Sequence, residues 1–415
     1  MLSPRMLAPA LLFAACAAVA APAADVVHWW TSPGETAAKH ALADAYRAAG
    51  GQWRDLAVTA SEQARAAVLQ RVAAGNPPLA AQFNPSRSFQ RLAREGRLTA
   101  MDDVARDGRW AQVLPAVLLD AVRIDGHIYA VPISIHMPAW LWSSKAALAK
   151  AGVKQEPRSM DELFAALDKL QAAGLIPLAH GGQPWQDRAL FVAMLANQGG
   201  RELYLAVLRD RDPAALQGDA LRDVLVSYKK LRRYVDKASP GRSWADTTAL
   251  VASGRAGLAF MGDWAKAEFL QAGLQPGRDF GCTPGLSPRA PYIVDGDVLV
   301  FPKDRDGSAR TAQQLLARVA TAPATQLAFN ARKGSVPVRT DLDTRTLDAC
   351  AQIGATALRD AGRLVPNAES LLTPEQLTAL ERAVSDFWNR DIPAQTAQQT
   401  LAGILTLNTD NRRQP

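Results

Sequence analysis

Val26-Val27-His28-Trp29-Trp30-Thr31-Ser32-Pro33-Gly34-Glu35 joins a short apolar run to a turn, and the turn to an alanine-rich amphipathic stretch over 35–46. Val26 and Val27 read as a buried strand, Ser32-Pro33-Gly34 as the turn, and Glu35 as a first-turn residue of the helix that follows. The strand's carboxyl end therefore opens on a helix N-terminus, the place where open α/β sheets bind ligands. Two indoles and a carboxylate at that junction suit a ligand with apolar ring faces and a hydroxylated rim, the chemistry of a pyranose. Taken alone, the pair is equally a core indole beside a rim indole, and the rest of the chain has to decide.

The chain has 415 residues, 48% of them hydrophobic and 21% charged, which is enough for two cores. One positive charge at Arg5, an apolar run over 6–20 and the small-residue end Ala18-Val19-Ala20 make a secretory signal peptide, cut after about Ala20 or Ala23. Phe13-Ala14-Ala15-Cys16 loosely resembles a lipoprotein signal, the alternative reading. The mature protein is expected to be exported. Once Cys16 leaves with the signal, Cys282 and Cys350 remain as a candidate disulfide in an oxidising compartment, with two buried thiols as the alternative. No other apolar run is long enough to cross a bilayer. A formal charge of +7 raises the question of nucleic acid. The densest basic cluster, Lys229-Lys230-Leu231-Arg232-Arg233, is interrupted at helical spacing and reads as a solvated helix face, so no nucleic-acid partner is expected.

From 26 to 131 short β-like runs alternate with helices. Strands are expected at 56–59 and 79–83, and helices at 62–75 and 86–95, each of the latter closed by a glycine. This βαβα order argues for a parallel sheet covered by helices. Asp125-Gly126 signals a hairpin, and the extended run 127–136 after it reads as a crossing into a second lobe. Beyond it come a strand at 140–145, helices at 146–151, 159–173 and 187–196, a long helical region at 214–236, and a helix at 247–255. Ala256–Met261 reads as a buried strand, and Gly262-Asp263-Trp264 turns into another helix, so strand, tryptophan and helix recur in the order of the opening stretch. Runs at 292–301 and 333–339 look like two further crossings, and 345–402 reads as helical. Three crossings around a cleft make a hinge.

No P-loop, dinucleotide fingerprint, Gly-x-Ser-x-Gly elbow or zinc-type spacing occurs, and the histidines are dispersed, so neither cofactor nor metal is expected. What does recur is Trp29-Trp30-Thr31-Ser32-Pro33-Gly34-Glu35, Trp140-Leu141-Trp142, Gly182-Gln183-Pro184-Trp185-Gln186, Phe260-Met261-Gly262-Asp263-Trp264-Ala265-Lys266, Val294-Asp295 and Lys333-Gly334-Ser335-Val336-Pro337-Val338-Arg339. In these segments the chain resembles the solute-binding proteins of bacterial ABC sugar importers, especially their glucose-binding branch. The resemblance implies a two-lobed, type II periplasmic binding fold, α/β throughout, each lobe a mostly parallel sheet covered by helices. The lobes are expected at 24–133 plus 296–334 and at 134–295 plus 335–415, after a signal over 1–23. It also implies a monomer that closes over one sugar and presents it to permease subunits in the inner membrane, without chemistry. By that resemblance Trp29 or Trp30 covers one face of the sugar and Trp264 the other, while Glu35, Gln82, Asp295 and Lys333 hold its hydroxyls. His136, Gln183 and Trp185 are second-rank candidates for the cleft wall, and Asp263 reads first as a helix N-cap.

Two positions depart from the glucose-binding pattern. Leu364-Val365-Pro366 runs into Asn367-Ala368-Glu369-Ser370 with no histidine, and Ala139 stands where an amide is expected. Each loss leaves a ligand hydroxyl unpaired at about 1–3 kcal/mol, so the expectation is weak glucose binding or a different, larger sugar. The rival readings are a secreted glycoside hydrolase, with Glu35 and Asp295 as its carboxylate pair, and a sensory sugar-binding protein that uses the same clamshell.

Overall fold

The computed structural model describes residues 23–287, 290–304 and 307–407; the signal peptide expected over 1–23, Cys16 included, lies outside the described residues except for Ala23. Twelve strands are described: β1 (Ala23–His28), β2 (Gln52–Ala57), β3 (Ala80–Phe83), β4 (Arg123–Ile124), β5 (His127–Ile128), β6 (Ala130–His136), β7 (Trp140–Ser144), β8 (Ile176–Ala179), β9 (Ala256–Met261), β10 (Phe280–Thr283), β11 (Tyr292–Val300) and β12 (Leu364–Pro366). They build two main sheets and the small β4–β5 hairpin. In that hairpin Asp125 and Gly126 take positive φ angles of 51° and 90°, the conformation that makes Asp-Gly a two-residue turn.

The first sheet runs β12-β11-β3-β1-β2, with β6 on the other side of β11. β1 pairs in parallel with β2 and β3, as helix-linked strands do, the helices Pro33–Ala48 and Ser61–Ala73 carrying the connections. β11 is antiparallel to β3 and β6 and parallel to β12. The second sheet runs β10-β7-β9-β8; only β8 and β9 are parallel. Parallel pairing is thus confined to the helix-linked strands and the β11–β12 pair. The antiparallel members are strands that arrive from the other sheet: the chain passes from the first sheet to the second over 137–139 and returns over 284–291. A third passage lies beside the first, where Val336 and Ile135 exchange backbone hydrogen bonds of 2.8 and 3.0 Å.

In the opening stretch the strand forms as expected, but the helix begins at Pro33 rather than after a Ser32-Pro33-Gly34 turn, because proline suits a first helical position and Ser32 caps it. Val26 and Val27 are buried on both faces of β1, and Ser32 caps the helix Pro33–Ala48. Ser32 Oγ accepts from the Glu35 amide while Glu35 Oε2 accepts from the Ser32 amide, a reciprocal capping box. Ala38, Leu42 and Tyr46, four residues apart, bury one helix face. The long helical region expected at 214–236 is interrupted: Gly218 separates Pro213–Gln217 from Asp219–Leu231, and a tight turn at Arg232–Tyr234 ends it. The C-terminal region expected to be wholly helical also contains β12, short enough that three residues of edge pairing leave no periodic trace.

Cys282, on the edge strand β10, is joined to Cys350 in the helix Ala349–Ala357. No helix among the described residues is long and apolar enough to cross a membrane.

Candidate functional site

The carboxyl ends of β1, β3 and β6 in the first sheet and of β8 and β9 in the second face one gap, because antiparallel β11 and β7 enter their sheets from it. A cavity of about 370 Å³ lies there, lined from both sheets and from the C-terminal segment. Of the residues singled out in the sequence, Trp29, Glu35, His136, Gln183, Trp185, Trp264, Asp295 and Lys333 line it. Trp30, Gln82 and Asp263 do not; they stand one layer behind.

Those three act through the residues in front. Trp30 is 1% exposed, stacks on His28, meets Phe329 edge-on, and donates its indole N–H to Asp297 at 3.2 Å. Of the two indoles in the opening stretch it is therefore the core member, and Trp29 the wall member. Gln82, at the end of β3, accepts from the Trp29 amide at 2.9 Å and donates to Asp297 at 2.7 Å. Asp263 does not cap the helix Ala265–Gln271, whose N-cap position is Trp264. Its carboxylate accepts from His136 Nδ1 at 2.6 Å and from the Met137 amide at 3.3 Å, tying the turn after β9 to the end of β6.

Asp297 is the hub. Besides Trp30 and Gln82 it accepts from Ser134 Oγ at 3.3 Å and His136 Nε2 at 3.0 Å, and Lys333 Nζ stands 3.9 Å away. Burial works against its charge, yet Lys333 and His136 outweigh that and hold the carboxyl far below the usual range. Burial also opposes the His136 imidazolium, but Asp263 and Asp297 on either side raise its pKa to about 9, so both ring nitrogens donate. Lys333, at the last turn of the helix Pro323–Lys333, donates to Glu35 at 3.1 Å; Glu35 and Asp297 together keep the buried ammonium charged. Its Nζ lies 5.9 Å from the Trp264 ring centroid, and His136 meets that ring edge-on at 5.4 Å. The indole is thus braced from two sides, with Trp185 next to it at 6.4 Å.

Across the ladder from His136, Asp295 Oδ2 accepts from Asn367 Nδ2 at 2.9 Å. Burial and then the neighbouring Glu369 push its pKa up to about 7. Glu369 is held by Arg188 at 3.0 Å and Arg65 at 3.9 Å, and the Arg65 guanidinium lies 5.5 Å from the Trp29 ring. Asn84, after β3, donates to the Gly296 carbonyl at 3.0 Å. Asp297, Asn84, Arg188, Trp244, Asn367 and Glu369 all line the cavity and none was singled out from the sequence. Asp297 had a signal, its spacing of two from Asp295 on one strand face. Asn367 and Glu369 lie in the segment after Leu364-Val365-Pro366 that the sequence marked as a departure from the glucose pattern, though neither was assigned a role there; that segment reaches the cavity from over 60 residues beyond β11.

Among the described residues no cluster of histidine, cysteine and carboxylates is arranged to hold a metal ion. The arrangement offers indole faces, charged acceptors and charged donors around one cavity, which is what a neutral polyhydroxylated ligand requires.

Comparison with known proteins agrees with this layout. Residues 41–351 match the bacterial extracellular solute-binding protein family. A probable sugar-binding periplasmic protein of Rhizobium meliloti is 42% identical over 85% of this chain and 84% of its own length. One of the same description from Brucella suis is 40% identical over 81% of this chain and 80% of its own. A solved chitin-oligosaccharide-binding protein superposes with a TM-score of 0.77 over 93% of this chain and 98% of its own, at 19% identity, a likeness of fold. The two sheets, the passages between them and the match over 41–351 carry one conclusion: the chain belongs to the bacterial extracellular solute-binding proteins, with their type II binding fold.

Proposed function

We propose that this protein is the sugar-capturing component of a bacterial ABC importer, holding a mono- or small oligosaccharide in the cavity and delivering it unchanged from the periplasm to a membrane permease. The observation that carries the reading is the meeting of Trp29, Trp264, Asp295, Asp297, Glu35 and Lys333 around one cavity between the sheets. The 40% and 42% identity to proteins described as sugar-binding and periplasmic supports it.

In this reading Trp29 and Trp264 cover the sugar, and Glu35, Asp295 and Lys333 hold its hydroxyls, while Trp30, Gln82 and Asp263 fix the residues that do so. Residues 24–133 plus 296–334 and 134–295 plus 335–415 are the two closing units, and closure is driven by contacts the ligand makes to both at once. Glucose itself is not favoured, because Asn367 and Ala139 replace groups a glucose site of this type would use.

Native mass spectrometry of protein purified without added sugar tests the reading, with a bound carbohydrate mass as the expected result. Incubation with chromogenic glycosides addresses the hydrolase reading: turnover that survives repurification would replace capture with catalysis.

A further inference from the structure

The first turn of the helix Pro33–Ala48 is not completed within its own half of the molecule. Ser32 Oγ takes the Glu35 amide, the Ser32 carbonyl takes the Thr36 amide at 2.8 Å, and Glu35 Oε2 takes the Thr31 and Ser32 amides. Pro33 has no N–H. That leaves the buried Gly34 amide, which donates at 3.1 Å to Glu268 Oε1. Glu268 belongs to the helix Ala265–Gln271, which joins β9 to β10 of the second sheet, whereas Pro33–Ala48 joins β1 to β2 of the first. A helix start on one sheet is thus finished by a carboxylate carried on the other, at the end of the helix where negative charge is favoured.

Two features tie this contact to the cavity and to the passages between the sheets. Glu35 follows Gly34 directly and bonds Lys333, while Trp264 stands one helical turn before Glu268, so each partner neighbours a cavity-lining residue of its own half. Gly334, just before the third passage, has a φ of 86° and lies so close to Asp263 and Ala267 that a Cβ there would press on their backbone, which sets the Gly34–Glu268 bond beside the pivot. A contact there moves little on opening, yet a hydrogen bond of 3.1 Å fails once its atoms part by about another 0.5 Å.

We propose that Glu268 is a latch: its carboxylate caps the helix Pro33–Ala48 across the gap in the closed arrangement and releases the Gly34 amide on opening, so the protein itself contributes to closure alongside the ligand. The proposal rests on the sugar-capture reading above and adds to it a group that does not touch the ligand. Glu268 is a positioning residue, acting through the turn that carries Glu35. Because the latch forms after the sugar has entered, it slows escape and leaves the encounter unchanged.

Calorimetry with D-glucose, D-galactose, D-mannose and maltose selects the tightest panel sugar, and stopped-flow tryptophan fluorescence then follows its binding to the parent, Glu268→Ala and Glu268→Gln. Glu268→Ala should release the sugar about three- to thirtyfold faster with an unchanged association rate, the span expected of an anion at a helix N-terminus. Glu268→Gln keeps an acceptor oxygen without the charge and should fall between the two, and high salt should narrow its gap from the parent. Melting without sugar should be the same for all three proteins, since the open form does not hold the contact. A lower sugar-free melting temperature with parental dissociation would make Glu268 a static helix cap and overturn the latch alone, as would parental dissociation rates in both variants. No binding of any panel sugar by the parent, nor any carbohydrate in its native mass spectra, would remove the carbohydrate reading and the latch with it.

Discussion

His136 and Asp295 face each other across the β6–β11 ladder, and with both pKa values raised each weakens the fold as pH rises, in different pH windows. His136 has its pKa raised to about 9 in the folded chain, so its contribution to stability is complete below about 6.5 and is lost as pH rises through 9. The stability gap between the parent and His136→Gln, measured by denaturant melts, should be constant in acid and shrink between about pH 7 and 10. Asp295 has its pKa raised to about 7, so the native state holds its proton more tightly than the unfolded chain, and its carboxylate weakens the fold as pH rises from about 4 to 7. Asp295→Asn should therefore melt above the parent at pH 8, and that advantage should disappear by about pH 4. Trp264→Ala, which removes an indole braced by Lys333 and His136, should weaken binding of the native ligand by more than about 1.5 kcal/mol in calorimetry. Normal binding by that variant would make Trp264 a core residue. At this scale the sequence showed which residue types gather but not their depth: Trp29 and Trp30 are adjacent letters, and only the direction of the chain leaving β1 sends one to the wall and the other to the core.

Elements were more legible than residues. The Asp-Gly hairpin and the strand Ala256–Met261 follow from local rules that no tertiary contact overrides, whereas Ser32-Pro33-Gly34, read as a turn, is the N-cap and first turn of a helix. The weak points were β12 and the antiparallel joins, which depend on strands far apart in sequence. The helix Pro33–Ala48 meets the helix Ala265–Gln271 so closely at Gly34 that a Cβ there would collide with that of Ala267, and the Gly34 amide donates to Glu268 at 3.1 Å. Gly34→Ala should cost about 1–3 kcal/mol in denaturant melts, by overpacking. The link from Cys282 to Cys350 closes a loop of 68 residues between β10 and the helix Ala349–Ala357. Cys282→Ser with Cys350→Ser should lower stability by about 4 kcal/mol on the loop-entropy account, read from chemical denaturation.

For the molecule as a whole, the cavity lies where the chain changes sheets, so a ligand held by both sides favours the compact arrangement. Small-angle scattering should show a smaller radius of gyration on adding the sugar, and an unchanged radius with sugar demonstrably bound would sink the closure mechanism. The strand β11 gives this architecture a further consequence. It carries Asp295 and Asp297 and is stitched to β12, β6 and β3 along its length. Inserting or deleting a single codon there would turn both acids away from the gap and break three ladders together. Side chains around the strand, at positions such as 84, 244 and 367, can be exchanged without that penalty, so β11 acts as the keel of the site.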